Sequence, residues 1–426
     1  MRKNKKKRKI LGIAFIFEIL IISVIVLVVI RKGEVSFRTI DVMEASGEID
    51  RDGTEPAKIP TAEGTDTRPQ TTKDNDSDTT PTESEDRAES GSSGRDSGAS
   101  SDKEGSTNQD KNGNKEAVEI VPEDVYDTIT ISAAGDVTLG RDYNYGYERS
   151  FDHELKVQGN DYSYFFRNVK DLFEQDDITV VNLETTLTTA KVPAEKKFRF
   201  KADPSYVKIL EEGDIETVSV ANNHSHDYLD QGYEDTINTL KEAEIGYFGN
   251  GYTDIQEVRG RKVGFAGFVS WEVSKQQKEE IQKTMDKLRS DGADIVIVMF
   301  HWGIERDYYP NSVQKELARY SIDHGADLVL GCHPHVLQGI EEYNGKTIVY
   351  SLGNFCFGGN KNPSDKDSMV YVQRFNFKND ELISQEYEVI PCSISSVKDR
   401  NNYQPTPLKD KEKERVLNKL EKYSKF

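Results

Sequence analysis

Apolar residues along this chain fall into short runs separated by polar stretches, and the runs have two different periods. From Thr128 onward, five of them read as β-strands that each end on a residue able to hold a metal. ITISAAGD ends at Asp136, ITVVNLE at Glu184, TVSVANNH at Asn223 and His224, IVIVMFH at His301, and DLVLGCHPH at His333 and His335. The runs are nearly continuous rather than alternating, which predicts strands buried on both faces. Between them the apolar spacing turns helical. Helices are expected over 164–175, from the Asp203 cap and Pro204 to Gly213, over 233–245, over 275–289, and from a Ser312 cap to Gly325. VGFAGFVS and TIVYSLGNF add strands, and MVYVQRFNF with the turn KND predicts a hairpin running to Ile394. Residues 408–423 read as a short charged surface helix. Strands alternating with helices predict an α/β fold, whose ligands gather at the carboxyl edge of the sheet.

The amino-terminal third follows neither period. Residues 10–30, ILGIAFIFEILIISVIVLVVI, carry one charge, at Glu18. That length can cross the hydrocarbon core of a bilayer. Seven basic residues precede it and no small-residue cleavage site follows, so an uncleaved signal anchor is expected. The charge bias keeps residues 1–9 in the cytoplasm and sends the rest of this single-pass cell-membrane protein outside. Residues 31–120 are rich in Ser, Thr, Asp, Glu and Gly and bury too little apolar surface to offset ordering entropy. They read as a disordered acidic linker. The globular domain is then expected at 125–395, followed by a charged tail at 396–426.

Composition narrows the chemistry. A net charge of −19 argues against nucleic acid as a partner. An anionic substrate would need a local basic pocket or metal ions. The three cysteines form no CxxC pair, which excludes a zinc ribbon or a thioredoxin-type site. Cys332 can be read as a soft ligand, but a small buried residue at a strand end is preferred.

Five of the seven histidines, His224, His226, His301, His333 and His335, lie in or just after the five endings. Taken singly, each residue there is as well read as a cap or a core polar group. Five on five strand ends favour a metal centre. A two-metal hydrolytic site needs a bridging carboxylate, neutral ligands and an open position for water. Glu184 is the natural bridge, with Asp136, Asn223, His301, His333 and His335 as ligands. His333 and His335, two apart, would face the same side of an extended backbone. His224 is the candidate to protonate a leaving group, with His226 and Asp227 around it as orienting residues. Arg141, Asn182 and Asn354, at or just past strand ends, are candidates for substrate contact. For Arg141 an anion clamp and a surface ion pair are equally good readings. His324 is read as a residue at a helix C-terminus, and His153, in a polar loop, gets no role. The mixed N and O donors permit one or two divalent ions, Mn, Fe or Zn.

The stretches GDVTLGR, NLETTL, ANNHSHDY, HWGIE, GCHPHVLQGIE and YSLGNF resemble, in order and spacing, the CapA/PgsA family of poly-γ-glutamate capsule proteins. That family is similar to the calcineurin-like metallophosphoesterases. The resemblance implies an α/β/β/α two-sheet sandwich with metals at the strand ends. It matches Asp136 to the first-motif aspartate, Glu184 to the bridging carboxylate, Asn223 and His224 to the Asn-His pair, His301 to the isolated histidine, and His333 and His335 to the final pair. Thr138 stands where the phosphoesterases carry a histidine. The implied role is synthesis, export or anchoring of poly-γ-glutamate or a similar capsule polymer. An anionic polymer or a phosphoester would be the substrate, and the cytoplasmic membrane and synthase or exporter subunits the partners. A general cell-envelope metallophosphoesterase and a non-catalytic accessory subunit of a polymer synthase are the alternatives.

Overall fold

A computed structural model describes residues 124–426. The expected membrane span (10–30) and linker (31–120) lie outside the described residues. Among those described, no helix is long and apolar enough to cross a membrane.

In chain order come β1 (Tyr126–Thr138), β2 (Arg141–Asp142), α1 (Phe151–Val157), α2 (Lys170–Phe173), β3 (Ile178–Leu183), β4 (Thr186–Leu187) and β5 (Phe200–Ala202). Next are α3 (Val207–Glu212), β6 (Thr217–Ser219), α4 (Leu229–Glu242), β7 (Gly246–Phe248), β8 (Thr253–Val258), β9 (Arg261–Ser270), α5 (Lys275–Ser290) and β10 (Ile295–Trp302). The rest are α6 (Ser312–Asp323), β11 (Leu328–Cys332), β12 (Ile340–Tyr343), β13 (Lys346–Val349), β14 (Asn354–Phe357), β15 (Asp367–Lys378), β16 (Glu381–Ser393), β17 (Thr406–Pro407) and α7 (Asp410–Tyr423). One sheet runs β17-β16-β15-β1-β3-β6-β7, with β14 also paired to β1; a second runs β12-β13-β11-β10-β9-β8; a small third is β2-β5-β4. Parallel pairing joins β1, β3, β6 and β7 in the first sheet, and β9, β10, β11 and β13 in the second.

The two large sheets pack face to face, and strand alternation decides which side chains meet between them. Ile295, Ile297 and Met299 of β10 join Ile129, Ile131 and Val180 of the first sheet in one buried cluster. Val296, Val298, Phe300 and Trp302 face the other way, onto α5 and α6. Beneath the first sheet, Val181, Leu183 and Val218 pack with α3 and α4. The result is helices, sheet, sheet, helices, an α/β architecture with two mixed sheets. His301 continues the inward series 295, 297, 299 and so emerges at the end of the inter-sheet layer.

Several elements differ from the periodic reading. Residues 164–175 do not form one helix; they give a 3-10 turn at Tyr162–Tyr164 and the four-residue α2. Aromatic packing overrides the spacing, with Phe165 stacked on Phe151 at 4.2 Å and Phe166 on Phe355 at 6.0 Å. Residues 151–157 form a helix capped by Ser150, so His153 is helical rather than in a loop. Asn311, not Ser312, caps α6, in a reciprocal pairing with Gln314. The segment 396–426 is part of the domain. Tyr403 is fully buried, Val416 and Leu420 enter the inter-sheet cluster, and Arg415 makes two hydrogen bonds to Asp367 (2.6 and 2.7 Å). Alternating charge along α7 hides two apolar positions four apart, which is what docks it.

Candidate metal centre

A backbone irregularity sets the first ligand. Along β1, Ile129, Ile131 and Ala133 face the second sheet, while Ala134 faces the helices. Strict alternation would turn Asp136 toward the helices as well. The pairing with β3 instead shifts register between Ala134 and Asp136. A bulge of this kind re-aims the side chains beyond it, and Asp136 enters the inter-sheet space. Gly135 makes this possible: a Cβ there would lie 1.8 Å from the Gly353 carbonyl oxygen, to which Asp136 N–H donates at 2.9 Å.

Glu184 follows β3 directly and is fully buried. Its Oε2 accepts from Thr138 Oγ1 at 3.2 Å. Its Oε1 has no hydrogen-bond donor. Around Oε1 stand the Nε2 atoms of His301 at 3.6 Å, His224 at 3.9 Å and His335 at 4.0 Å. These gaps are too long for hydrogen bonds. They approach the separation of roughly 3–3.5 Å between atoms sharing one ion at metal–ligand distances of about 2.0–2.2 Å.

Two groups of donor side chains share this carboxylate. Glu184, His301 and His333 form one, and Asp136, Glu184 and His335 the other; in each, the ligand atoms lie within 4.8 Å of one another. In the first, His301 Nε2 is 3.1 Å from His333 Nδ1 and 3.0 Å from Asn223 Oδ1. In the second, His335 Nδ1 is 3.1 Å from Asp136 Oδ2. A buried, donorless carboxylate oxygen common to two imidazole and carboxylate sets fits one or two divalent cations.

The backbone that presents the last pair is not extended. β11 ends at Cys332, and His333 and His335 have φ of 94° and 56° around Pro334. Their convergence comes from a turn in the left-handed region, not from period-two alternation. Positive φ at two side-chain-bearing residues is costly and concentrates at functional sites. Likewise β6 ends at Ser219, and Asn223 and His224 sit in the turn that follows, not on the strand.

Electrostatics point the same way. Burial first, then His333 and His335, hold His301 well below the ordinary imidazole value. Burial first, then His335, pushes His333 down to about 3. Both are therefore neutral, with lone pairs to offer. Burial and the neighbouring Asp136 drive Glu184 upward. For His335 burial opposes protonation, but Glu184 and Asp136 outweigh it and raise the ring to about 10.

His224 is buried, its Nδ1 2.7 Å from Asp227 Oδ2. Burial lowers its pKa against the pull of Asp227. Asp227 is held in turn by the Phe200 N–H (2.5 Å) and by Lys196 Nζ (2.5 Å to Oδ1). His226 does not share in this. It is exposed, 3.4 Å from Asp230, and stacks on Tyr233. Asn182 and Asn354, expected at the substrate, bond to the candidate ligands. Asn182 Nδ2 donates to Asp136 at 2.8 Å and lies 3.3 Å from His301 Nδ1, and Asn354 Oδ1 lies 2.9 Å from His335 Nδ1. Arg141 is occupied by Asp152 at 2.7 Å and by the Tyr145 carbonyl. Cys332 is fully buried and protonated, burial and then Asp136 raising its thiol well above its ordinary value, which fits a core residue. His324 is the C-cap of α6.

Three residues escape the sequence reading. Lys196 braces Asp227. Buried Asn222 donates to Asn182 Oδ1 (3.1 Å) and to the Leu183 carbonyl (2.9 Å). Trp271, 46% exposed, stands edge-on 4.6 Å from the His333 ring and forms part of the rim. No local pattern marks any of them, since Lys and Trp are not ligand types and Asn222 is hidden beside Asn223.

Comparison with known proteins meets this geometry. The family model described as "Bacterial capsule synthesis protein PGA_cap" matches residues 130–359, a span that holds every residue of the centre. The chain is 33% identical over 254 residues to "PGA biosynthesis protein CapA" of Bacillus subtilis (strain 168), covering 54% of this chain and 64% of that one. It is 31% identical over 271 residues to "Capsule biosynthesis protein CapA" of Bacillus anthracis, covering 57% and 63%. It is 26% identical over 257 residues to a "Probable polyglutamine synthesis accessory protein" of Mycobacterium tuberculosis (strain ATCC 25618 / H37Rv), covering 52% and 67%. The chain therefore spans less than two thirds of the length of the two Bacillus relatives.

Proposed function

The chain belongs to the PGA_cap family of bacterial capsule synthesis proteins, a family of the metallophosphoesterase-like superfamily, and from that premise we propose that it acts outside the cell in making, exporting or anchoring poly-γ-glutamate or a similar capsule polymer, through a metal-dependent hydrolase-like site. The observation that carries the metal-dependent part is the buried Glu184 Oε1, without a donor and facing three imidazole nitrogens. The apolar stretch 10–30 supports a single-pass anchor, with the acidic linker holding the domain away from the membrane.

Asp136, Glu184 and His335 would hold one cation, and Glu184, His301, His333 and Asn223 the other. Divalent cations held there supply charge that neutralises an anionic oxygen and lowers the pKa of water. The protein's own residues do the rest. Asn182 and Asn354 fix the ligands' orientations. Asp227 accepts from His224 Nδ1, which leaves Nε2, 3.9 Å from Glu184, as the atom that exchanges a proton with substrate. Trp271 walls the rim against water.

The test is elemental analysis of the purified protein, followed by assay of poly-γ-glutamate chain length with added Mn²⁺. Bound divalent metal, lost in His333→Ala, and polymer shortening, lost in His224→Ala with metal retained, is the expected result. A protein that binds no divalent metal overturns the reading. An accessory, non-catalytic role is favoured by Thr138, which donates to Glu184 where an imidazole ligand would strengthen one site. Metal retention without any polymer turnover would identify that case.

A further inference from the structure

Against a net charge of −19, one segment of this chain is crowded with cations. Residues 186–201 contain Lys191, Lys196, Lys197, Arg199 and Lys201 and a single acid, Glu195. This segment forms two strands of the small sheet, and β2 brings Arg141 directly opposite Lys201 in the antiparallel register. Like charges facing each other across a strand pair are destabilising, so the arrangement has a cost that folding alone does not explain.

Neutralisation is incomplete. Arg141 pairs with Asp152, and Lys196 with Asp227. Lys191, Lys197, Arg199 and Lys201 make no ion pair among the described residues; Lys201 Nζ and Arg199 Nη1 bond the carbonyls of Ala190 (2.8 Å) and Ala194 (3.4 Å), and Lys201, Arg199 and Lys197 lie over the neutral rings of Tyr228 (4.4 Å), Tyr143 (5.3 Å) and Phe198 (5.2 Å), none of which cancels their charge. Burial, then Lys191 and Arg141, lower the Lys201 ammonium below its ordinary value. Arg199 and Lys201 flank Phe200 on β5, so alternation turns both to the face opposite it. Phe200 itself is buried, its ring 4.3 Å from that of His224. Phe200 therefore marks the face of this sheet that meets the metal centre, and Arg199 and Lys201 belong to its other face.

We propose that the β2-β5-β4 sheet and its β4–β5 connection, through Lys191, Lys197, Arg199 and Lys201, form a binding track for a linear polycarboxylate. This rests on the polymer role proposed above. The track holds a chain with carboxylates repeated along it, because several weak lysine contacts add only when their counter-charges are linked. It also explains how so acidic a protein approaches a polyanion, since a local field outweighs the net charge within about a Debye length, ~8–10 Å.

The experiment uses the full-length protein and fluorescently labelled poly-γ-glutamate, with affinity read by anisotropy at low and moderate salt. Polyphosphate of similar length and free glutamate are the comparison probes. K191Q/K197Q/K201Q should weaken polyglutamate binding by at least about tenfold at low salt and flatten its salt dependence. K275Q/K283Q/K287Q, on the far helix α5, should bind as the wild type does. Val192→Lys, at a position 64% exposed on the same segment, should tighten binding without removing any contact. An unchanged affinity in the first variant, an equal loss in the α5 variant, or tighter binding of polyphosphate than of polyglutamate overturns the track. Wild-type protein that fails to bind polyglutamate at all overturns the polymer role itself, which separates the two failures.

Discussion

Glu184→Gln preserves shape and removes one charge, and its consequence should invert between metal-free and metal-loaded protein. In the metal-free state the wild-type carboxylate is fully buried and Oε1 has no donor. A buried charge without full compensation costs several kcal/mol, and burial with Asp136 nearby drives Glu184 toward its protonated form. Substituting the amide should therefore change metal-free stability by no more than about 1 kcal/mol, or raise it. With metal the order reverses. An ion at 100 times its Kd stabilises the wild type by about 2.7 kcal/mol, roughly 5–10 °C at ~2–4 °C per kcal/mol. Glu184 belongs to both ligand groups. Groups one step removed from a metal are already worth about 10–100-fold in affinity, so losing the shared carboxylate should cost at least about 100-fold. At the same metal concentration the variant would then be half occupied at most, a shift of ~0.4 kcal/mol or about 1 °C. Scanning calorimetry of chelator-stripped protein titrated with Mn²⁺ or Zn²⁺, with elemental analysis alongside, reads both quantities. A wild type insensitive to metal, or a variant that keeps the full metal-induced rise, would refute the shared-carboxylate argument.

Other outcomes follow from the same geometry. Asp227→Asn should leave metal content unchanged and lower turnover by about 10–100-fold, mainly in kcat, because His224 loses the acceptor at 2.7 Å that orients it. Gly135→Ala places a Cβ 1.8 Å from the Gly353 carbonyl, so β1 and β14 must part. The expected loss is about 1–3 kcal/mol or more in urea titration, with metal content falling as Asp136 is displaced. Asp176, lifted by burial from 3.8 to about 7, holds its proton more tightly folded than unfolded. That stabilisation is present below the unfolded value and is lost as pH rises from about 4 to about 7. Asp176→Asn should therefore gain on the wild type across that window, by at most ~4 kcal/mol at 1.36 kcal/mol per pKa unit, and urea midpoints at pH 4.5 and 8 would reveal it.

The apolar runs were legible because burial on both faces demands them. β10 and the hairpin β15–β16 lie where the runs place them; Asp203 caps a 3-10 turn, Pro204–Tyr206, that leads into α3, and α3 ends at Gly213 as marked. The runs also bring acids, an amide and imidazoles to one end of the inter-sheet layer. Legibility failed where contacts are non-local. The expected helix over 164–175 yields to aromatic stacking against residues far along the chain, and α7 docks through two apolar positions hidden in a charged pattern. The contacts of His226, Asn182 and Asn354 were not legible, because which way a side chain points depends on turns and register that no period records.

From the order of residues alone come the α/β alternation, the strands that are buried throughout, and the set of acids, amides and imidazoles at their ends. These depend on local periodicity and side-chain chemistry, which are written along the chain. The tertiary structure decided how they meet. The bulge at Gly135 turns Asp136 inward, the left-handed turn at His333 and His335 replaces an extended presentation, and two sheets packed face to face put one buried carboxylate within reach of three imidazoles. Register, bulges and sheet packing are set by contacts between residues far apart in sequence, so only the folded chain contains them.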